Sequence, residues 1–273
     1  DRSPSRGLGD VYKRQIYYPL ETLVRLGIKD ILFIVQEDDL SIFEKTFGTG
    51  SVVGLNFSYE VQKIQRGIAD AYFIAEKFLD GSPSVLALSD NVFLGKNYFV
   101  YANSALLKMQ ENGGSVFGLP VPDPEKFGVI ELDNNKNIVG IEEKPSKPKS
   151  NLIIPGLYFF DSDASKLTKT LKPSNRGELE ITDLIKIYLS EKKLALEILD
   201  DSIVWHDTGN AKALLEAAQK VKLYEQNNDV KIGSYEIASY EQGFINKSNL
   251  NDIAEKLIKS DYGQYIKEYL TRN

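Results

Sequence analysis

Two aspartates offer the most open chemistry in this sequence. Asp90 follows the apolar run Val85–Leu88 in the stretch Ser-Val-Leu-Ala-Leu-Ser-Asp-Asn, and Asp207 lies in Trp205-His206-Asp207-Thr208-Gly209. Each stands where an apolar strand ends, and Asp207 comes just before a helical stretch. In an open α/β sheet, ligands gather outside the carboxyl ends of the strands. Two carboxylates meeting there would form a hard-cation site of oxygen ligands, of the kind that holds Mg²⁺ on a nucleotide. The plainer alternative for each is an aspartate that starts a turn.

Two basic residues have matching settings. In Glu142-Glu143-Lys144-Pro145 the proline biases Lys144 toward an extended backbone, which would fix the direction of its side chain. A lysine held so beside Glu143 suits a phosphorylated, hydroxyl-rich substrate; a solvated charged turn is the alternative. Lys172-Pro-Ser-Asn-Arg176-Gly177-Glu178 runs into a helix start, where Arg176 and free backbone N–H groups would together bind an anion. The alternative is a surface arginine. Gln62 ends a strand and Gly67 opens the next helix. A glutamine pairs with both donor and acceptor on a base edge, and a glycine lets a ligand approach the backbone. A surface glutamine and a helix-start glycine are the competing reading. Gly128, at the head of a strand after Phe127, reads alone as a turn glycine. His206 is the only histidine, and its strand-like setting suits packing or surface rather than catalysis.

These residues need elements to position them. The spacing predicts a helix over Tyr17–Leu26 stopped by Gly27, a strand Asp30–Val35, a helix Asp38–Phe47 and a strand Asn56–Val61. A helix Gly67–Leu79 and a buried strand Val85–Leu88 follow. This alternation argues for βαβ units, right-handed crossovers and a Rossmann-like, mostly parallel mixed sheet. After a helix near Phe99–Gln110, strands come without intervening helices: Ser115–Leu119, Gly128–Leu132, Ile138–Ile141, Ile153–Phe160 and Leu194–Leu199. They read as a small β insertion that completes a site. Helices are expected over Ala164–Leu171 and over Leu179–Leu189, the latter with Glu178 and Glu180 as acids of its first turn. Residues 210–273 read as a helical extension broken around Asn227–Gly233.

Composition narrows the function classes. The chain has 273 residues, 42% hydrophobic and 26% charged, with a formal net charge of −6. That balance argues against a non-specific nucleic-acid or anionic-membrane binder. With no cysteine there is no disulfide and no thiolate chemistry. The longest aliphatic–aromatic run, Ile31–Val35, is too short to span a bilayer. A signal-peptide pattern is absent, and the expectation is a cytoplasmic protein.

Taken together, these residues resemble the sugar-1-phosphate nucleotidyltransferases, most closely the glucose-1-phosphate thymidylyltransferase members. The resemblance is carried by IYYPLET (Ile16–Thr22), Val61-Gln62 with Gly67, LSDN (Leu88–Asn91), Phe127–Val129, EEKP (Glu142–Pro145), GLYF (Gly156–Phe159), RGELEITD (Arg176–Asp183) and WHDTG (Trp205–Gly209). It implies an enzyme that uses Mg²⁺ to transfer a thymidylyl group from dTTP to glucose 1-phosphate, in dTDP-rhamnose-type nucleotide-sugar biosynthesis. It further implies a homo-oligomer, a dimer or tetramer. By this resemblance Gln62 and Gly67 recognise the base, and Asp90 and Asp207 hold Mg²⁺ between the phosphates. Gly128, Glu143 and Tyr158 contact the sugar, and Lys144 and Arg176 grip its phosphate as the catalytic pair.

The sequence departs from that family at its start. The family's first strand, its Gly-rich loop (GGxGTRLxPxT) and a following lysine would precede IYYPLET, where residues 1–15 match none of them. This polar segment reads as a fusion scar ahead of a truncated domain, residues 16–209. The expected consequences are a missing central strand, two exposed strand edges and a lost N–H cradle for phosphates, which would impair this chain. Ser89, Asp70 and Pro155 are smaller departures, and they bear on the choice of base more than on the reaction class. A uridylyl or cytidylyl transferase and a non-catalytic sugar-nucleotide-binding homologue are the alternatives. An NAD-dependent oxidoreductase would need a Gly-rich strand–turn–helix fingerprint; Gly7-Leu-Gly9 has no strand before it and Tyr12 in the third glycine's place.

Overall fold

The computed structural model describes residues 15–272. All of the expected scar except Gln15 therefore lies outside the described residues. The first helix, α1 (Tyr17–Arg25), buries Leu20 and Val24. Gly27 ends it at φ +82, where its N–H donates to the Val24 carbonyl and that of Ile28 to Leu23.

Strand β1 (Asp30–Val35), helix α2 (Leu40–Phe47) and strand β2 (Asn56–Val61) form a βαβ unit whose strands pair in parallel, Asp30 with Asn56 through Val35 with Val61. The expected helix Gly67–Leu79 is instead a single tight turn followed by two short helices, α3 (Ala71–Ile74) and α4 (Glu76–Leu79). Gly67 at φ +103 cannot continue a helix, and the chain kinks again at Ala75.

Next come β3 (Ser84–Ala87), β4 (Asn91–Leu94), α5 (Tyr98–Asn112), β5 (Gly114–Pro120), β6 (Gly128–Leu132), β7 (Ile138–Glu143), β8 (Leu152–Ile154) and β9 (Leu157–Phe160). Helices α6 (Ala164–Thr168) and α7 (Ile181–Ser190) precede β10 (Leu194–Ile198) and β11 (Val204–Asp207). Pro155 and Gly156 divide β8 from β9, where one strand was expected, because the proline lacks a ladder N–H. The C-terminal helices are α8 (Ala211–Asn228), α9 (Tyr235–Glu241), α10 (Lys247–Lys256) and α11 (Asp261–Arg272).

The main sheet has the order β3-β9-β5-β8-β6-β7, with β10 also on β5. Its character is mixed: β10 runs parallel to β5, whereas the pairs of β3, β8 and β7 in this sheet are antiparallel. The parallel share is therefore smaller than the alternating pattern suggested. Helix α7 and the face toward β9 enclose Tyr188, Phe160 and Ile185; on the other face Phe117 and Phe159 lie among α5 side chains. Each such side chain contributes about 1.5–3 kcal/mol on burial.

Strands β1 and β2 have a separate core with α1 and helices α9 to α11, built on Phe33, Phe47, Leu55 and Ile266. Among the described residues β1 pairs only with β2, and β3 only with β9. The free edges of both border a cavity of about 750 Å³ lined by Ile31, Leu32, Ile34, Tyr72, Val85 and Leu86. Consequently β3 is half-buried along its whole length rather than fully buried, as its apolar run suggested.

Candidate functional site

Strand β3 ends at Ala87, and the turn Leu88–Asp90 leads into β4, so Asp90 emerges beyond the sheet. β4 pairs antiparallel with β11, which sets Asn91 opposite Asp207. The two expected metal ligands are therefore neighbours through backbone pairing, despite their distance in sequence. A methyl group on Gly209 would stand 3.1 Å from Asp207 Oδ1 and 3.4 Å from Asp90 Oδ2, so both carboxylates reach the same space. Thr208 ties the loop down: its N–H and hydroxyl donate to the Asp90 carbonyl at 2.8 and 2.6 Å.

Asn91 was not among the expected site residues, yet it orients the pair. Its Nδ2 donates to Asp90 Oδ1 at 2.8 Å, while its Oδ1 accepts from Gly156 N–H at 2.9 Å and Trp205 Nε1 at 2.7 Å. A side chain at Gly156 would collide with this amide, at 2.7 Å from Nδ2. Gln15 adds a further tie, donating from Nε2 to Thr208 O and Oγ1, both at 2.9 Å. The adjacency of Asn91 to Asp90 was the available signal; the links to Trp205 and Gly156 depend on the fold.

A cavity of about 250 Å³ joins Asp90 and Asp207 to Gly128, Glu143, Lys144, Tyr158 and Arg176. Seven of the nine expected site residues thus line one space. Gln62 and Gly67 do not line it, although Ile68 does. The space beside Gly67 is taken by protein: an added Cβ would lie 2.5 Å from the Leu179 carbonyl oxygen. Arg66 and Ala69 bond to the Leu179 backbone on either side of it. A close approach of chain segments accounts for this glycine.

Lys144 is not extended as its proline suggested. It stands at φ +44, with its N–H donating to the Phe127 carbonyl at 3.0 Å. The β6–β7 ladder ends at Gly128 opposite Glu143, so this bond adds a last link at the open end of the hairpin, where the lysine leaves the strand line. A left-handed non-glycine residue at a site is held there by its surroundings. Tyr158, on β9, is buried, and burial pushes its hydroxyl pKa well up, so it faces the cavity as a neutral phenol.

Arg176 is held by carboxylates. Its Nη2 lies 2.8 Å from Glu180 Oε2, 2.9 Å from Glu178 Oε2 and 3.7 Å from Glu143 Oε1, and its Nε donates to Glu180 Oε1 at 3.1 Å. Glu178 and Glu180 were expected in the first turn of a helix. Instead α7 begins at Ile181, and Glu180 makes no cap bond because its carboxylate serves Arg176 and Ser174. Bonding to Glu180 raises the arginine's pKa further. Burial pushes Glu180 up, but the bonds from Arg176 and Ser174 outweigh it and leave the acid below its ordinary value. Glu143 is raised, chiefly by burial and then by the charge of Glu180, against Thr182, Lys144 and Arg176.

His206 has its pKa lowered by burial and then by Lys220. It does not line the cavity. Among the described residues no cluster of three or more His, Cys, Asp or Glu could hold a metal ion. The pair Asp90–Asp207 is a smaller donor set, all oxygen, and it fits an ion that keeps waters and takes phosphate oxygens as its other ligands.

Comparison with known proteins gives the family of the chain. The family model for nucleotidyl transferases matches residues 8–223. A glucose-1-phosphate thymidylyltransferase of Neisseria gonorrhoeae is 41% identical over 266 residues, covering 97% of this chain and 92% of that protein. A Bacillus anthracis crystal structure with sucrose, assigned to a glucose-1-phosphate thymidylyltransferase, superposes with TM-score 0.70 at 32% identity, over 83% of this chain and 89% of that one. A UDP-glucose pyrophosphorylase in complex with UDP-glucose shares the fold, with TM-score 0.67 at 20% identity, over 80% and 90% of the two chains. Among the described residues no helix is long and apolar enough to cross a membrane.

Proposed function

Because the chain belongs to the nucleotidyl transferase family, we propose that it transfers a thymidylyl group from dTTP to glucose 1-phosphate, giving dTDP-glucose and pyrophosphate. The observation that carries this reading is that two aspartates which reach the same space line one cavity together with Lys144 and Arg176. Such a space suits a reaction between two phosphate-bearing substrates, where opposed negative charge must be offset and the partners aligned.

A phosphate oxygen of the sugar phosphate attacks the α-phosphorus of the nucleotide in line. The new O–P bond forms as the bond to the β-phosphate breaks, and pyrophosphate departs with the electron pair. Lys144 and Arg176 hold the attacking phosphate. Arg176 does so by giving up bonds to Glu178 and Glu180, since its two-pronged guanidinium fits a phosphate as well as a carboxylate. Glu143, Tyr158 and the Gly128 backbone receive the sugar. Gln62 and the Gly67 turn face the base. Asp90 and Asp207 would hold Mg²⁺, which when bound supplies charge neutralisation at the phosphates. A positioned charge or donor of this kind is worth about 10²–10³-fold in rate.

On this reading residues 16–209 carry the site, residues 210–273 are a helical extension, and the enzyme acts as a homo-oligomer in the cytoplasm. The test is pyrophosphate release from dTTP and glucose 1-phosphate with Mg²⁺, alongside UTP, CTP and other sugar phosphates. Release that is fastest with dTTP and glucose 1-phosphate is the expected result. Faster turnover of another pair would overturn the substrate assignment. Calorimetric binding of dTDP-glucose without any turnover would replace catalysis with a binding role.

A further inference from the structure

Gln62 lies just past the last rung of the β1–β2 ladder, its N–H donating to the Val35 carbonyl at 2.9 Å. Its side-chain Nε2 donates to Asp70 Oδ2 at 3.1 Å. Asp70 is only 1% exposed, and its other oxygen lies 2.7 Å from the Arg66 guanidinium. The turn that carries both residues is pinned to Leu179, through Leu179 N–H to Arg66 O and Ala69 N–H to Leu179 O. A buried carboxylate that faces an arginine accepts hydrogen bonds and donates none. The Gln62 amide can therefore face Asp70 with its nitrogen only; the reversed amide would set two oxygens against each other.

We propose that Asp70 is a positioning residue that locks the Gln62 amide one way round and so makes the base site select thymine or uracil over cytosine. The inference rests on the reading of Gln62 as the residue that meets the base. A primary amide presents an edge made of its oxygen and one N–H, while its second N–H points away. In the proposed arrangement the outward N–H is the one spent on Asp70, the acceptor of the Gln62 Nε2 bond. Among the described residues Oε1 accepts no hydrogen bond, so the edge offers one acceptor and one donor in a fixed order.

Thymine and uracil present an N3–H donor beside a carbonyl acceptor. Cytosine presents the same two positions reversed, a bare N3 beside an amino group. A freely turning amide serves either base by flipping. A locked one matches the imide base and opposes cytosine at both contacts. Discrimination by one good bidentate pair is about tenfold or more.

The experiment is calorimetric titration of the intact chain with dTTP, UTP and CTP, with wild type, Asp70→Asn and Gln62→Ala compared. Wild type should bind dTTP and UTP about tenfold or more tighter than CTP. An asparagine amide can either accept or donate, so Asp70→Asn should tighten CTP binding and bring the ratio within about threefold, with dTTP binding little changed. A merely structural role would weaken all three nucleotides alike, and that result would overturn the proposal, as would an unchanged ratio. Gln62→Ala separates the failures: if it leaves dTTP binding untouched, the base-site reading itself is wrong. Amide NMR of the glutamine-labelled wild type gives a check that needs no Asp70 variant. One Gln62 side-chain proton, identified by its loss in Gln62→Ala, should exchange slowly and sit downfield. Equal, fast exchange of both protons would show that no lock exists.

Discussion

On one side of the cavity Asp90 and Asp207 are steadied by neutral groups, an asparagine amide and the backbone N–H of Gly209. Elsewhere in its lining, Arg176 is gripped by three carboxylates. Among the described residues neither aspartate of the acidic side has an ion pair, and hydrogen bonds orient both carboxylates. The basic side is already paired, and on the proposed reading it would gain a phosphate by exchanging partners. Bare attraction to anions is thereby reduced, and the geometry of a two-pronged ligand decides what displaces Glu178 and Glu180. One side is built for strength and the other for choice.

The sharpest way to break this contrast is on the acidic side. Asp90→Asn or Asp207→Asn should reduce pyrophosphate release by about 10²–10³-fold or more at saturating dTTP. Full activity in both would remove the acidic half of the comparison. Arg176→Lys keeps the charge but loses the fork. It should raise KM for glucose 1-phosphate by roughly tenfold or more with a smaller change for dTTP, read from initial rates. An equal change for both substrates would place Arg176 elsewhere in the reaction.

Glu180→Gln should loosen the grip on Arg176 and change the acid stability. The pKa of Glu180 is held below its ordinary 4.5, so its stabilising contribution is present above that value and fades as pH falls through the depressed one. The variant's melting temperature should therefore fall less on acidification than that of the wild type. The smallest effect belongs to Glu143, whose pKa is raised. If the carboxylate form receives the sugar, the acid limb of kcat/KM should lie above the usual carboxylate range, and Glu143→Gln should flatten it.

Much of this was legible in the sequence because it is local. β1, β2 and β6 were readable from runs of apolar and β-branched residues bounded by turn formers, and Asp90, Asp207, Lys144 and Arg176 from their places beside strand ends and a helix start. What escaped depends on distant partners. Asn91 gains its role from Trp205 and Gly156, and β4 exists because β11 pairs with it. Glu178 and Glu180 carry the composition of a helix start, but a nearby arginine competes for them more strongly than the helix does. At Lys144 the bond to Phe127 overrides the preference that the following proline imposes. The parallel share of the sheet was overestimated because alternation of strands and helices does not reveal which edges finally meet.

Among the described residues the second edges of β1 and β3 are unpaired, and this bears on how the molecule comes apart. Phe33, Phe57, Leu250 and Ile266 form one cohesive mass, Phe117, Phe159, Leu184 and Tyr188 others, and the 750 Å³ cavity lies along the seam between β1 and the main sheet. α1 is the principal clasp, with Leu20 and Val24 on one side of the seam and Thr22 meeting Tyr98 on the other. Cooperativity weakens where contiguous packing stops, so the β1–β2 body should detach as a foldon before the main sheet melts. Amide protons of β1 would then exchange at a lower opening free energy than those of β5 and β9, and a substitution at Val24 would widen that gap.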